Sequence, residues 1–189
     1  MQENQKKNIE QQDGGNRVQS ALREQIDTSA SSLQLPLFLI VAFLIPLLDQ
    51  LTKWLIVARL SLHESIPVVD GLLWFTRIHN SGIAFGLFPG LPRLFTVVTV
   101  FSMLVVLYFY LTVQPRTRLL ALGCALILGG AVGNLIDRIQ YGYVVDFINF
   151  GFWPAFNIAD SSVSVGVALL LVNFFFENKE IKEHASNLV

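Results

Sequence analysis

The chain is short of charge. Asp, Glu, Lys and Arg make up 14% of its 189 residues, whereas a soluble domain of this size carries about a quarter, so it has too little polar surface to keep itself in water. It has a single cysteine, Cys124, which excludes an internal disulfide and a cysteine-based zinc site. Inside an apolar run such a thiol behaves as a small hydrophobe. Net charge is −1 with a pI near 6.3, so the basic face of a nucleic-acid binder is missing. The three histidines, His63, His79 and His184, lie outside the apolar runs and no H-E-x-x-H occurs, which leaves a zinc protease without ligands. Glycine-rich phosphate loops are absent, and 21.1 kDa leaves no room for a second large soluble domain.

What is present is hydrocarbon. Apolar residues reach 53% and mean hydropathy is +0.55. Four apolar runs, at about 35–57, 94–113, 119–136 and 158–176, each approach the roughly 20 residues a helix needs to cross a core of about 30 Å. None alternates in polarity, so a barrel is excluded and all four are expected to be helices. The fold class expected is an all-α membrane protein of four transmembrane helices, with a small extracytoplasmic β-rich connection between helices 1 and 2. Residues 1–33, rich in Gln, Asn, Ser, Lys and Glu, have too few apolar groups to offset the entropy of ordering and are expected to be a disordered cytoplasmic tail. Residues 34–178 form the membrane domain and 179–189 a cytoplasmic C-terminal tail.

Lys6, Lys7, Arg17 and Arg23 in the tail, Arg116 and Arg118 between runs 2 and 3, and Lys179 and Lys182 at the end put those three regions on the cytoplasmic side. Arg59, Arg77, Arg93 and Arg138 blur the bias. The two remaining connections then face outward. The first reads as strands Ser65 to Val69 and Leu72 to His79 around a turn at Asp70-Gly71, a small sheet at the lipid interface whose apolar residues include Phe85 and Phe88. The second carries Tyr141, Tyr143, Phe147, Phe150, Phe152, Trp153 and Phe156, either an aromatic belt or a mouth open to a lipid-borne ligand.

Charges in or beside the apolar runs need partners, because each costs on the order of 3 kcal/mol at a span centre. Asp49 and Lys53 are four apart and are expected to pair along helix 1. Asn134, Asp137 and Arg138 share a face at the outer end of helix 3, where they either scaffold the bundle or, for Arg138, clamp a carboxylate or carbonyl. Gly129, Gly130 and Gly133 let another backbone approach one turn before Asn134.

Asp146 and Asp160 lack a cation at fixed spacing. The chain between them holds Gly151 and Pro154, long enough to bring the two carboxylates face to face. At about 3 Å they share a proton, and such a pair performs acid-base hydrolysis without nucleophile, metal or cofactor. The structural alternative is that Asp160 interacts with the helix 4 dipole and Asp146 faces water. A dyad of Lys53 with Ser161, Ser162 or Ser164 is a third chemistry.

Five ordered blocks carry a resemblance: Leu48-Asp49-Gln50-Leu51-Thr52-Lys53, Asn80-Ser81-Gly82-Ile83-Ala84-Phe85, Gly129 through Arg138, Val144-Val145-Asp146-Phe147 and Phe156-Asn157-Ile158-Ala159-Asp160-Ser161. Over residues 35 to 176 the chain resembles lipoprotein signal peptidase, or signal peptidase II. That resemblance implies a bacterial inner-membrane aspartyl peptidase with four spans, both termini cytoplasmic and the active site on the outer-leaflet side. It would remove the signal peptide of diacylglyceryl-modified prolipoproteins before the lipid-bearing cysteine, and be a target of globomycin. By motif, Asp146 and Asp160 would be the catalytic pair, with Asp49, Lys53, Asn80, Gly82, Asn134, Asp137, Arg138, Asn157 and Ala159 supporting or contacting substrate. The partners implied are the lipid-modified prolipoprotein and membrane lipid. No nucleic acid, metal or cofactor is expected, and the chain is taken as a monomer.

Two other classes remain open at this level. A proton-coupled transporter would bury charges near midplane on several helices, whereas Asp137, Asp146 and Asp160 collect at one edge. A non-catalytic assembly protein would tolerate replacement of either Asp146 or Asp160. The charge distribution makes a topological prediction. Reporters fused after Val113 and after Val189 should read cytoplasmic, and reporters within 61–71 external; an external reading at Val189 would refute the four-span arrangement.

Overall fold

A computed structural model of the chain describes residues 34–82, 92–113 and 117–186, with side chains as far as Phe176. The N-terminal tail, Phe85, Phe88 and part of the second motif block lie outside the described residues. The element order is α1 (Gln34–Arg59), β1 (Ser65–Val69), β2 (Leu73–Asn80), α2 (Pro92–Thr112), α3 (Arg118–Tyr141), β3 (Val144–Asn149) and α4 (Ile158–Ser186). All four helices are long and apolar enough to cross a membrane, over Gln34–Arg59, Arg93–Thr112, Arg118–Tyr141 and Ile158–Phe176.

The apolar runs form helices because no other backbone satisfies every N–H and C=O in hydrocarbon. Their large side chains point outward: Leu39, Phe43 and Trp54 of α1 and Val97, Phe101 and Tyr108 of α2 are all exposed, as suits a surface solvated by lipid tails. Helix α3 is the most buried of the four and is the axis of the bundle. Thr117 caps its start by accepting the Leu120 N–H at 3.0 Å, and Gly142 closes its end in the left-handed conformation, φ 77°, which favours glycine. The helix therefore runs five residues past the 136 expected from hydropathy, so Asp137 and Arg138 belong to its last turns.

Small residues set how closely the bundle packs. A Cβ on Gly129 would lie 2.9 Å from Ile45 of α1, and one on Gly130 would collide with the Ala159 carbonyl of α4. A Cβ on Gly133 would meet the Asp49 carboxylate at 2.6 Å. The expected close approach thus occurs twice, toward α1 and toward α4 on adjoining faces of α3, and the third glycine makes room for a charge. At one end of the bundle Phe38, Tyr110, Leu120, Ala121, Cys124, Ala125 and Leu128 form an apolar core, with the Phe38 and Tyr110 rings stacked at 4.1 Å. Cys124 is fully buried there, the small hydrophobe its context suggests.

At the other end sits an antiparallel sheet of order β1-β2-β3. The first two strands match the sequence expectation closely. The third does not: Val144–Asn149 pairs with β2, Ile78 opposite Asp146 and Asn80 opposite Val144, so the sheet is shared by both connections on that side of the bundle rather than confined to the first. Phe147 is a further correction. It is buried against Ile56, Leu60 and Phe75 and takes no part in an aromatic mouth, whereas Tyr141, Phe152 and Trp153 are exposed. Arg77 of β2 donates to the Leu60 carbonyl at 3.1 Å and the Val57 carbonyl at 3.4 Å, capping α1 and tying the sheet to it.

Overpacking a closed helix contact generally costs about 1–3 kcal/mol. Gly130→Ala would press a methyl on backbone that cannot swing away, so it should destabilise the detergent-solubilised chain by an amount in that range, read as a lower thermal midpoint. An unchanged midpoint would mean that α3 and α4 are not in such contact.

Candidate active site

The polar centre is built around Asn157. After Gly151 the chain turns back, and Phe156 bridges antiparallel to Ile148, exchanging backbone hydrogen bonds at 2.8 and 3.1 Å. This lays the start of α4 along the free edge of β3. Asn157 caps α4: its Oδ1 accepts the Asp160 N–H at 2.9 Å, and Asp160 Oδ2 accepts the Asn157 N–H at 3.2 Å, a reciprocal capping box. The Asn157 Nδ2 faces the other way and donates to Asp146 Oδ1 at 2.8 Å. One asparagine therefore holds both Asp146 and Asp160, and the capping role read as the structural alternative coexists with their convergence.

Asp146 accepts its second hydrogen bond from Asn80 Nδ2 at 2.9 Å. Asn80 is itself oriented by the Gly82 N–H, which donates to its Oδ1 at 3.0 Å. The Asp146 side of the strand is dry, with 2% of the residue exposed. Burial first, and then the neighbouring charge of Asp160, push the Asp146 carboxyl up to about 7 against the pull of the Asn80 and Asn157 amides and of Lys53.

Beneath the pair lies a buried ammonium. Lys53 Nζ contacts Asp49 Oδ2 at 2.8 Å, Asp137 Oδ2 at 2.9 Å and Asn134 Oδ1 at 2.9 Å, so all three donors are used. Each acceptor then reaches the candidate pair. Asp49 Oδ1 accepts the Ala159 N–H at 3.0 Å, one residue before Asp160. Asp137 Oδ2 accepts the Val145 N–H at 3.0 Å, one residue before Asp146. Asn134 Nδ2 donates to Asp160 Oδ1 at 2.8 Å. The Asp49–Lys53 pair expected from spacing is present, but it is one side of a larger cluster.

The whole arrangement can be compared with known proteins. A family model described as Signal peptidase (SPase) II matches residues 41–176, a stretch that holds Asp49, Lys53, Asp146 and Asp160. The chain belongs to the signal peptidase II family. The lipoprotein signal peptidase of Halothermothrix orenii is 45% identical over 143 residues, 74% of this chain and 96% of that one. That of Shouchella clausii is 45% identical over 144 residues, 76% of this chain and 95% of that one. A solved structure described as a bacterial membrane enzyme determined by the in meso method at 2.3 Å resolution superposes with a TM-score of 0.73 at 30% identity, covering 77% of this chain and 91% of the other. A second, at 1.9 Å, gives 0.68 at 31% identity.

Membership makes this chain an aspartic-type peptidase of the membrane, and the site holds the family's blocks together with one partial exception. Asp49, Lys53, Asn80, Gly82, Asn134, Asp137, Asn157 and Ala159 all enter the network around Asp146 and Asp160. Arg138, on the same helix, instead points toward α2, where its guanidinium reaches Thr99 Oγ1 at 3.5 Å. The serine alternative finds no support: Ser161, Ser162 and Ser164 each donate to a backbone carbonyl, of Asn157, Ala159 and Asp160 respectively, and Lys53 is fully engaged. Gln50 was not among the expected site residues. Its Nε2 donates to Asp137 Oδ1 at 2.8 Å and the Gly133 carbonyl at 3.0 Å; its place beside Asp49 in the first block was the available signal.

Removing one partner of a buried ion pair costs about 3–5 kcal/mol, because the other charge is stranded. Lys53→Met should therefore lower thermal stability by that order, and adding Asp137→Asn should recover part of the loss. A Lys53→Met protein as stable as the parent would show that the ammonium is not the hub of this cluster.

Proposed function

We propose that this signal peptidase II removes signal peptides from diacylglyceryl-modified prolipoproteins, cutting before the lipidated cysteine, with Asp146 and Asp160 as the catalytic pair. What carries the reading is their convergence on Asn157, with one carboxyl held up near neutrality. A buried pair holding a single proton is a general acid and a general base at once. One carboxylate takes a proton from water as its oxygen bonds to the scissile carbonyl carbon, and the other carboxyl protonates the carbonyl oxygen. On collapse of the tetrahedral intermediate the C–N bond breaks, the first group returns its proton to the leaving nitrogen, and the second recovers its own from the hydroxyl.

The substrate's signal helix and acyl chains reach this site sideways through the bilayer. Exposed Tyr141, Phe152 and Trp153 are the residue types that settle at headgroup level and hold the region near the scissile bond. The enzyme sits in a bacterial inner membrane with both termini cytoplasmic and the sheet and site at the outer leaflet, an orientation supported by Arg116, Arg118, Lys179 and Lys182. Asp49, Lys53, Asn80, Gly82, Asn134, Asp137, Asn157 and Ala159 support the pair, and Arg138, which reaches Thr99 of α2, is left as a residue that contacts substrate or braces α3 against α2. The working unit in this reading is a monomer.

The test is cleavage of a synthetic lipidated prolipoprotein by the purified chain in detergent. Asp146→Asn and Asp160→Asn should each abolish turnover while leaving the protein inserted, and the double variant should be hardly worse than either, since groups acting as a unit are non-additive. The pH profile should be bell-shaped. As pH rises through about 7 the shared proton is lost and turnover falls; at low pH a pair that carries two protons has no base left, and turnover falls again. If either Asn variant kept most of its turnover, the paired-carboxylate mechanism would be wrong.

A further inference from the structure

We infer that the two aspartates are not interchangeable: Asn134, fixed by Lys53, makes Asp160 the base that receives the proton of water, and leaves the shared proton on Asp146. This rests on the hydrolysis by the pair proposed above and assigns its roles.

Three independent observations carry the assignment. The first is the direction of the amides. Asn134 Oδ1 accepts from Lys53 Nζ at 2.9 Å and from Asn157 Nδ2 at 3.1 Å. An ammonium has no acceptor, so the Asn134 amide cannot turn over, and its Nδ2–H must face Asp160, at 2.8 Å. The donor offered to Asp160 is thus polarised by a buried cation, and a hydrogen bond donated to a carboxylate favours its charged form.

The second is the backbone. Asp160 lies in the first turn of α4 and accepts the Asn157 N–H at 3.2 Å, at the positive end of a helix macrodipole. Asp146 lies on a strand, where no such end exists. The third is access to water. Asp146 is 2% exposed, whereas Asp160 is half-buried. Burial disfavours charge on Asp146, and a base must touch the water it activates.

The charged groups around the pair agree with this polarity. Asp49 and Asp137, which flank Lys53 from α1 and α3, spend their oxygens on that ammonium, on the Ala159 and Val145 N–H groups, and on Gln50. Among the described residues the remaining nearby charge is Arg138 of α3, whose guanidinium reaches Thr99 of α2. Asn134 and Lys53 are therefore positioning residues in this scheme: they act on water only through Asp160.

Infrared spectroscopy of the detergent-solubilised full chain tests the assignment without requiring turnover. At pH 5.5, roughly midway between ordinary carboxylate values and neutrality, the parent should show a protonated-carboxyl band. Asp146→Asn should lose that band, whereas Asp160→Asn should keep it and merely titrate at lower pH because a neighbouring charge is gone. A band lost in Asp160→Asn and kept in Asp146→Asn would reverse the roles. A band lost in both or in neither would mean that neither carboxyl owns the proton, which also overturns the inference. Failure of the pair to be catalytic would show separately, as cleavage retained by the Asn variants.

A second arm addresses Asn134. Asn134→Leu removes the donor while Lys53 keeps Asp49 and Asp137. The acidic limb of the cleavage profile, which reports protonation of the base, should move up by about one pH unit, with the alkaline limb in place. A purely structural role would lower turnover without moving either limb, and movement of the alkaline limb alone would assign Asn134 to the acid instead.

Discussion

The structure depends on one ammonium held out of water. A buried charge is tolerated only when it is paired and its donors are satisfied, and Lys53 meets that demand with three acceptors drawn from α1 and α3. Each acceptor has a second connection, and those connections are what align β3 and α4. The need to neutralise a cation in the bundle thereby becomes a geometric rule. The residues just before Asp146 and Asp160 are gripped by carboxylates that share a single counter-ion.

Close packing makes the arrangement available. Lys53 on α1 meets Asp137 and Asn134 because α1 comes up against α3 at Gly129, and Asp49 fits because Gly133 has no side chain in its way. On the adjoining face Gly130 lets α4 come close enough for the Ala159 N–H to reach Asp49. Without a hydrophobic drive between helices in lipid, such contact by small residues, together with polar links, holds a bundle together. Here the same glycines serve the packing and the charge cluster, which is why they lie one turn from the polar face of α3.

Local signals in the sequence were legible and long-range ones were not. The four spans follow from run length, and the Asp49–Lys53 pair from helical spacing. The hairpin of β1 and β2 could be read from its turn at Asp70-Gly71. Strand β3 was hidden because four consecutive residues, Val144 to Phe147, are buried, so its sequence shows no alternation of apolar and polar positions. Phe147 was mistaken for an interface aromatic for the same reason, since composition does not say which face a ring takes. Asp137 joins Lys53, and Gln50 joins Asp137, across 84 and 87 residues, and no spacing rule reaches that far. The pairing of Asp146 with Asp160 was posed by chain length alone and left open against helix capping. At Asn157 the capping bonds that start α4 and a hydrogen bond to Asp146 of β3 meet in one side chain, a link between distant segments that no local pattern announces.

The separation in sequence of the groups around Lys53 has a consequence for biogenesis. Asp49 and Ala159 are 110 residues apart, so α1 enters the bilayer long before α4 is synthesised. In that interval Lys53 has only the carboxylate one turn away, and an ion pair with little further support is a costly guest in hydrocarbon. The first helix is consequently incomplete on its own, because α3 supplies Asp137 and Asn134, two of the three acceptors of Lys53. A chain that stops short of α3 would therefore carry a helix with an incompletely neutralised charge, and completing the site and completing the burial of Lys53 are one event.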